Sequence, residues 1–249
     1  MIDIAFNNRP KQSCNPLIRI ILVQDNKPYL TPVKEIAHQS ILMITQEIFE
    51  MAKRIQALSQ IGLTYNTNGF DIERYSELEA ISHRMMTLLT GQPVETIKGF
   101  YLGTKEYPTP KTDVRAIIFN DKDELLMVRE KVDGKWTPPG GWADIGHTPR
   151  EVAVKEAHEE TGLLVEPKRL LAMLDKKMHD HPPQLEYVYK MFIECEVKGG
   201  EITQAHDMHE VSWFSRDQIP PLSADRVVAS QIELMFEYHF NPAKEVMFD

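Results

Sequence analysis

An α/β sandwich preceded by a small helical domain is the fold class this sequence predicts. Three observations predict it. Apolar residues recur every three or four positions between Val33 and Leu58, which is the stripe of an amphipathic helix. The segment "GTKEYPTPKTD", residues 103–113, carries two prolines and few apolar groups, and reads as a linker. Beyond it, short β-rich runs flank one well-capped helix and end in another, the pattern of helices laid on sheet.

Composition narrows the class of function. The 249 residues, 42% of them hydrophobic, suffice for one large core or two small ones. Formal net charge is −9, which argues against stable nucleic-acid binding along a basic face. A small phosphate ligand stays possible, because a bound divalent metal reverses the local sign. Cys14 and Cys195 form no zinc or redox spacing, so both are read as free thiols in a reducing cytoplasm. No apolar run approaches the ~18–20 residues of a membrane span. The start "MIDIAFNNRPKQSC" lacks the basic-then-apolar order of a signal peptide. The expected compartment is the cytoplasm, with no membrane partner.

Residues 1–33 form an extension in which "LIRIILVQDNKPYLTP" reads as two short strands around an Asp-Asn turn. Residues 34–103 form the helical domain. Its first helix runs from about Val33 to Leu58, with Ile41, Ile44, Ile48, Met51, Ile55 and Leu58 on one face, widened by Leu42, Phe49 and Ala52. "GLTYNTNGFD" breaks it through Gly62, Asn68 and Gly69. A second helix starts near Asp71, has Ile81, Met85 and Leu88 on its inner face, and stops at "TGQP". Two such helices bury little alone. They pack on the next domain or on the same helices of a twin, and a two-fold homodimer centred on residues from about Thr31 to Gly91 is the expected assembly.

Residues 104–249 form the α/β domain. "VRAIIFN" and "LLMVRE" are strands joined as a hairpin by "DKDE". The long loop "KWTPPGGWADIGHTP" leads to a helix. "LLAMLDKKM", "YVYKMFIECEV" and "EVSWFS" are further strands, and a last helix covers roughly Ala224–Tyr238.

The motif helix spans about Pro149–Thr161. Thr148 is its N-cap, Pro149 suits the first helical position, and Glu151 closes a capping box. Gly162 is the residue that ends it. Glu156 and Glu160 stack at i and i+4, with Glu159 beside them. Such crowding repels at neutral pH unless a hard cation lies between the carboxylates, and Mg²⁺ or Mn²⁺ prefers oxygen ligands. The alternative for a bare run of this kind is a solvated acidic face paired by Lys155 and His158.

The context decides between them, because it resembles the Nudix hydrolases. Their box reads G-x5-E-x7-R-E-U-x-E-E-x-G-U, with U a bulky aliphatic. Gly141, Glu156, Glu159, Glu160, Gly162 and Leu163 match it in register; His147, Lys155 and Ala157 depart from it. "ALSQIGLTYNTNGFDIERYSELEAI", "YPTPKTDVRAIIF" and "HPP" before "YVYKMF" resemble one Nudix subgroup with a helical N-terminal domain, over about residues 38–249. The resemblance implies a Nudix α/β/α sandwich and a dimer. It also implies metal-dependent hydrolysis of the pyrophosphate in an ADP-ribose or CDP-choline-like nucleotide. Glu156 and Glu160 would be the firmest metal ligands, with Glu159 assisting and the Gly141 carbonyl nearby. Lys155 keeps a cation but loses the planar fork of arginine. His147 either faces the site and weakens or changes the metal, or stands aside. The second reading is adopted, because hard cations keep waters and substrate phosphates among their ligands.

Other candidates carry paired readings. Glu210 and Asp207 are general-base candidates or solvated loop carboxylates. Arg115 and Arg129 reach phosphate or lie at a solvated strand edge. Trp136 and Trp142 flank the glycine loop and can stack a base, while Trp213 is core. His179 and His181 touch substrate or shape a proline-bounded turn. The competing function is a Nudix-fold sensor that binds a nucleotide without cleaving it; the missing first glutamate favours it. Three retained box glutamates and the lack of a basic recognition helix favour the enzyme.

Overall fold

The computed structural model describes residues 31–101, 107–203 and 208–249, with the backbone alone at 31–38, 208 and 209. The chain divides into two compact units between Pro108 and Thr109. The strands read into the N-terminal extension lie outside the described residues, and Thr31 already belongs to a helix.

The described residues of the first unit form α1 (Thr31–Tyr65), α2 (Gly69–Thr90) and α3 (Val94–Tyr101). α1 runs past Gly62, which therefore does not break it. A Cβ at Gly62 would lie 2.5 Å from the Tyr75 ring of α2; the glycine lets the helices close on that ring. The actual break falls at Asn68, whose side chain accepts from the Phe70 amide at 3.0 Å and caps α2. Gly91, with φ of 71°, takes the left-handed turn that ends α2.

The apolar stripes do not meet each other as expected. The face of α1 that meets α2 holds Phe49, Ala52, Gln56 and Ser59, and the matching face of α2 holds Ser82, His83 and Met86. Ser82 Oγ donates to the Ala52 carbonyl at 2.9 Å, and Gln56 Nε2 donates to Glu79 at 3.3 Å. Small residues permit this close approach, whereas bulky aliphatics would hold the axes apart. Ile81 and Leu88 are exposed instead of inward. Ile41, Ile44, Ile48, Met51 and Leu58 are exposed as well.

The second unit holds two sheets. One has the order β4-β1-β6-β5-β8, built from Gly140–Trp142, Lys111–Ile118, Val188–Gly200, Leu163–Asp175 and Met247–Phe248. The other has the order β3-β2-β7, built from Trp136–Thr137, Leu125–Glu130 and Met208–Phe214. β1 and β6 are parallel, while β1–β4 and β5–β6 are antiparallel. The motif helix α4 (Pro149–Thr161) packs its Val152, Ala153 and Ala157 against Val114, Ala116 and Ile118 of β1. The last helix α5 (Ala229–Phe240) packs its Ile232, Met235 and Phe236 in the core that takes Ile117 and Phe192. Alternate residues of β1 thus enter opposite cores, which is why it reads as continuously apolar. The layers make an α/β/α sandwich.

Two local expectations change. Among the described residues β1 and β2 share no ladder beyond the isolated Phe119–Leu125 bridge at the turn and belong to different sheets, because β4 and β6 take both edges of β1. The last helix begins at Ala229, later than expected. His181 Nδ1 donates to the Ala224 carbonyl at 2.7 Å, and its Nε2 lies 3.1 Å from the Gln231 amide oxygen. That ties the turn after β5 to the start of α5. Among the described residues no helix is long and apolar enough to cross a membrane.

Two outcomes follow from this packing. In an open helix Gly→Ala stabilises by about 1 kcal/mol. Gly62→Ala is expected to lower the thermal midpoint here, since the new methyl meets the Tyr75 ring; a higher midpoint would mean that the ring gives way without cost. Burial pushes His181 from its ordinary 6.5 down to about 4. The unfolded chain therefore takes up the proton first as pH falls, so the contribution is complete above 6.5 and is lost between 6.5 and 4. His181→Gln should flatten the decline in thermal midpoint over that window, and parallel profiles for the two proteins would refute the assignment.

Candidate active site

The glycine loop is hung on β1. Val114 pairs with Gly141 and Arg115 with Gly140. Gly140 has φ of 149°, and a Cβ there would lie 2.1 Å from the Val114 carbonyl oxygen; only glycine fits. Its freed amide donates to Glu160 Oε2 at 2.9 Å. A Cβ at Gly141 would sit 3.0 Å from Glu156 Oε2, so the bare backbone leaves a niche facing that carboxylate. Ala153 and Ala157 are wholly buried and let α4 lie close to the sheet. The capping box forms as expected, with Glu151 accepting from the Thr148 amide at 2.7 Å and Thr148 Oγ1 from the Glu151 amide at 3.3 Å.

The three glutamates occupy graded depths. Glu160 is 6% exposed; burial pushes its carboxyl up to about 8, against the pull of Arg115 and of the Gly140 amide. Glu156 is half-buried, and Glu159 is exposed. Lys155 Nζ reaches all but the deepest: Glu156 at 3.2 Å, Glu159 at 3.4 Å and Asp144 at 3.2 Å. These bonds hold its ammonium above the usual lysine range. One point charge thus bridges the carboxylates that an arginine fork would have oriented. Among the described residues no three His, Cys, Asp or Glu side chains stand together as a ready-made metal cage. The donors still fit a hard divalent cation. They are all oxygen, Glu156 faces a niche without a side chain, and Glu160 is a buried carboxyl whose charged form wants a cation. His147 stands exposed before the N-cap, its amide donating to the Asp144 carbonyl at 3.2 Å.

The remaining candidates scatter. Arg115 neither reaches outward for phosphate nor lies at a solvated edge. It is buried, with Nη2 and Nε on Asp113 at 2.7 and 3.1 Å and Nη1 on the Pro138 carbonyl at 3.3 Å. Arg129 is exposed and lies 3.6 Å from Glu210, its partner across β2 and β7. These two stand on the three-stranded sheet, whereas β4 bears Gly141 and α4 bears Glu156 and Glu160; Val211 and Trp213 of β7 pack against the core under α4. Trp142 is 41% exposed, with Lys111 Nζ 5.3 Å from its ring centre. Trp136 is core, edge-on to Phe214, and does not offer a face to a base. Trp213 packs against the other core, as expected. His181 has both nitrogens engaged, by Ala224 and by Gln231 at the start of α5, and His179 meets Asp249 at 3.1 Å. Asp207 lies outside the described residues.

Sequence reasoning missed Asp113 and Lys190. Both are buried, and Lys190 Nζ donates to Asp113 from the paired position on β6. Burial raises the Asp113 carboxyl, but Arg115 and Lys190 outweigh that and hold it well below the usual range. The signal was available: a strand covered on both faces cannot carry "TDVR" unless the charges find partners.

Comparison with known proteins agrees with this construction. Residues 46–101 match the family described as UDP-X-like, N-terminal oligomerisation domain, and residues 109–235 match the NUDIX domain. A Bacillus subtilis protein named "Putative ADP-ribose pyrophosphatase YjhB" is 40% identical over 209 residues, covering 84% of this chain and all of that one. The ADP-ribose pyrophosphatase of Methanocaldococcus jannaschii is 33% identical over 121 residues, 48% of this chain and 70% of its own. The crystal structure of a UDP-X diphosphatase matches with a TM-score of 0.53 and 29% identity, covering 82% of this chain and 98% of that one. An ADP-ribose pyrophosphatase structure from Streptococcus suis matches with a TM-score of 0.52 and 40% identity over 57% of this chain and all of that one. The chain therefore belongs to the Nudix hydrolases and is a Nudix pyrophosphohydrolase with a UDP-X-like helical domain ahead of the NUDIX domain.

Proposed function

We propose that the chain hydrolyses the pyrophosphate of a nucleoside diphosphate joined to a second moiety, with ADP-ribose as first candidate and CDP-choline-like compounds as second. Water adds to one phosphorus, the bridging P–O bond breaks, and a nucleoside monophosphate leaves. One observation carries the reading. A buried Glu160 holds the Gly140 amide while Glu156 faces the niche at Gly141, so oxygen donors and bare backbone converge where a diphosphate with its cation would sit. The names of the related proteins support the substrate class.

Glu156 and Glu160 are the proposed ligands of Mg²⁺ or Mn²⁺, with Glu159 and the Gly141 carbonyl assisting. Such an ion, when bound, neutralises phosphoryl charge and acidifies a water. Lys155 sets the spacing of Glu156 and Glu159 beforehand, which matters because phosphoryl transfer rests on positioning and electrostatics. Glu210 is the proposed general base, and Arg129 beside it is suited to a phosphate oxygen. The open ring of Trp142 is suited to stack a base. Arg115 acts from beneath the loop instead of on substrate.

The proposed assembly is a homodimer through the helical unit. The exposed stripe of Ile41, Ile44, Ile48, Met51 and Leu58 needs a cover, and the matching family is described as an oligomerisation domain. The proposed setting is the cytoplasm, which keeps the buried Cys195 thiol reduced.

Purified protein with Mg²⁺ or Mn²⁺ should release AMP from ADP-ribose or CMP from CDP-choline. Binding of either without release would make the chain a sensor. Glu156→Gln and Glu160→Gln should each cost more than about a hundredfold in turnover with the fold intact; near-normal turnover in both would sink the ligand assignment. His147→Ala should leave turnover within about a few-fold and His147→Glu should tighten metal binding, whereas collapse in His147→Ala would show that the histidine has taken over a role. Light scattering at micromolar concentration should give a dimer, and a mass near one chain, 28.7 kDa, would end that proposal.

A further inference from the structure

We propose that Asp113 is a positioning residue for the reaction: by gripping the Arg115 guanidinium it holds the Pro138–Gly141 backbone, and the oxygen donors around it, in register with α4. The proposal rests on the functional reading above, although the clamp itself is a matter of geometry.

The loop "TPPGG" has an unusual need. Pro138 and Pro139 have no amide hydrogen, so the backbone there is anchored only through carbonyl oxygens. Pro139 offers its oxygen to the Ala116 amide at 2.8 Å. Pro138 offers its oxygen to Arg115 Nη1 at 3.3 Å and to the neighbouring Thr137 hydroxyl, also at 3.3 Å. The next residue, Gly140, donates to Glu160, and Gly141 faces Glu156. Arg115 is thus the side chain of β1 that sets the height of the loop. Its own orientation comes from the two-pronged contact with Asp113, at 2.7 and 3.1 Å. A guanidinium held at two points cannot swivel, and its third nitrogen is aimed by the first two.

Charge separates this role from plain stabilisation. Asp113 serves two buried cations, Arg115 on its own strand and Lys190 across the β1–β6 pair. Removing Lys190 leaves a balanced Asp–Arg pair. Removing Asp113 leaves two cations facing each other in the core. Removing both charges of the Asp113–Lys190 pair restores the balance of desolvated charge to that of a lone arginine, yet leaves the fork without its partner.

The test uses Lys190→Met, Asp113→Asn and the double variant, each with thermal midpoint, kcat, KM and amide hydrogen exchange. Lys190→Met should keep kcat within about threefold. The double variant should recover part of the midpoint lost in Asp113→Asn, since the buried lysine is relieved while the arginine stays unpaired. Its kcat for AMP release from ADP-ribose should stay about tenfold or more below wild type, with KM moving less. Without substrate or metal, its Gly140 and Gly141 amides should exchange about tenfold faster or more than in Lys190→Met. Should Asp113→Asn fail to fold, Arg115→Lys takes its place, keeping the charge and losing the fork, with the same loss of kcat expected. Recovery of kcat in the double variant overturns the proposal, as does unchanged exchange at the glycines. A wild-type chain that cleaves nothing sinks the functional reading, and the exchange pattern still decides the clamp.

Discussion

A buried carboxylate has to be answered by hydrogen bonds or by charge, and Glu160 is answered by the amide of Gly140 with Arg115 acting from behind. Much of the second unit follows from meeting that need. The amide is available only because Gly140 adopts a backbone that a side chain would forbid, pressed against the Val114 carbonyl. β4 must lie antiparallel on β1 to bring it there. α4 must lie low on the sheet to deliver the carboxylate, hence the buried Ala153 and Ala157. Its ends must also be fixed, which the Thr148–Glu151 box and Gly162 achieve. The departure at Ala157 from a bulky aliphatic belongs to the same economy of space.

Legibility tracked how local each cause was. The limits of α4 could be read because a cap, a first-turn proline and a terminal glycine lie within a few residues of one another. The sandwich could be read from short strands that flank one helix and end in another. The hairpin of β1 and β2 was misread because adjacency in sequence says nothing about which edges are already taken. Arg115 was misread for a related reason. An arginine in a strand invites thoughts of solvent and phosphate, and the Asp113 that pairs with it is itself held by Lys190, 77 residues further along the chain. Trp136 and Trp142 flank one loop, yet one is core and the other open; composition alone cannot separate them.

The helical unit shows a different logic. Its internal contact mixes Phe49 and Met86 with polar and small residues, and buried atoms such as His83 Nε2, Thr87 Oγ1 and Gln56 Oε1 have no hydrogen-bond partner there. Burial accordingly lowers the affinity of His83 for a proton. Polar groups inside a helix pair weaken it while restricting which alignments are tolerated. The aliphatic side chains are left to the outer faces. Sequence periodicity found those stripes correctly but could not tell an inward stripe from an outward one, since both have the same period.

The β1–β6 pairing has a consequence for the order of events during folding. α4 has its caps, Thr148 and Gly162, on the residues that immediately flank its thirteen and can form from local interactions. The Gly140–Glu160 bond closes a loop of 20 residues, and the Lys190–Asp113 contact closes one of 77. Closing the longer loop costs more chain entropy and comes later on average. The acidic helix therefore precedes the niche it serves. On that ordering the chain carries Glu156, Glu159 and Glu160 on a formed but open helix before the β1–β6 pair closes beneath it.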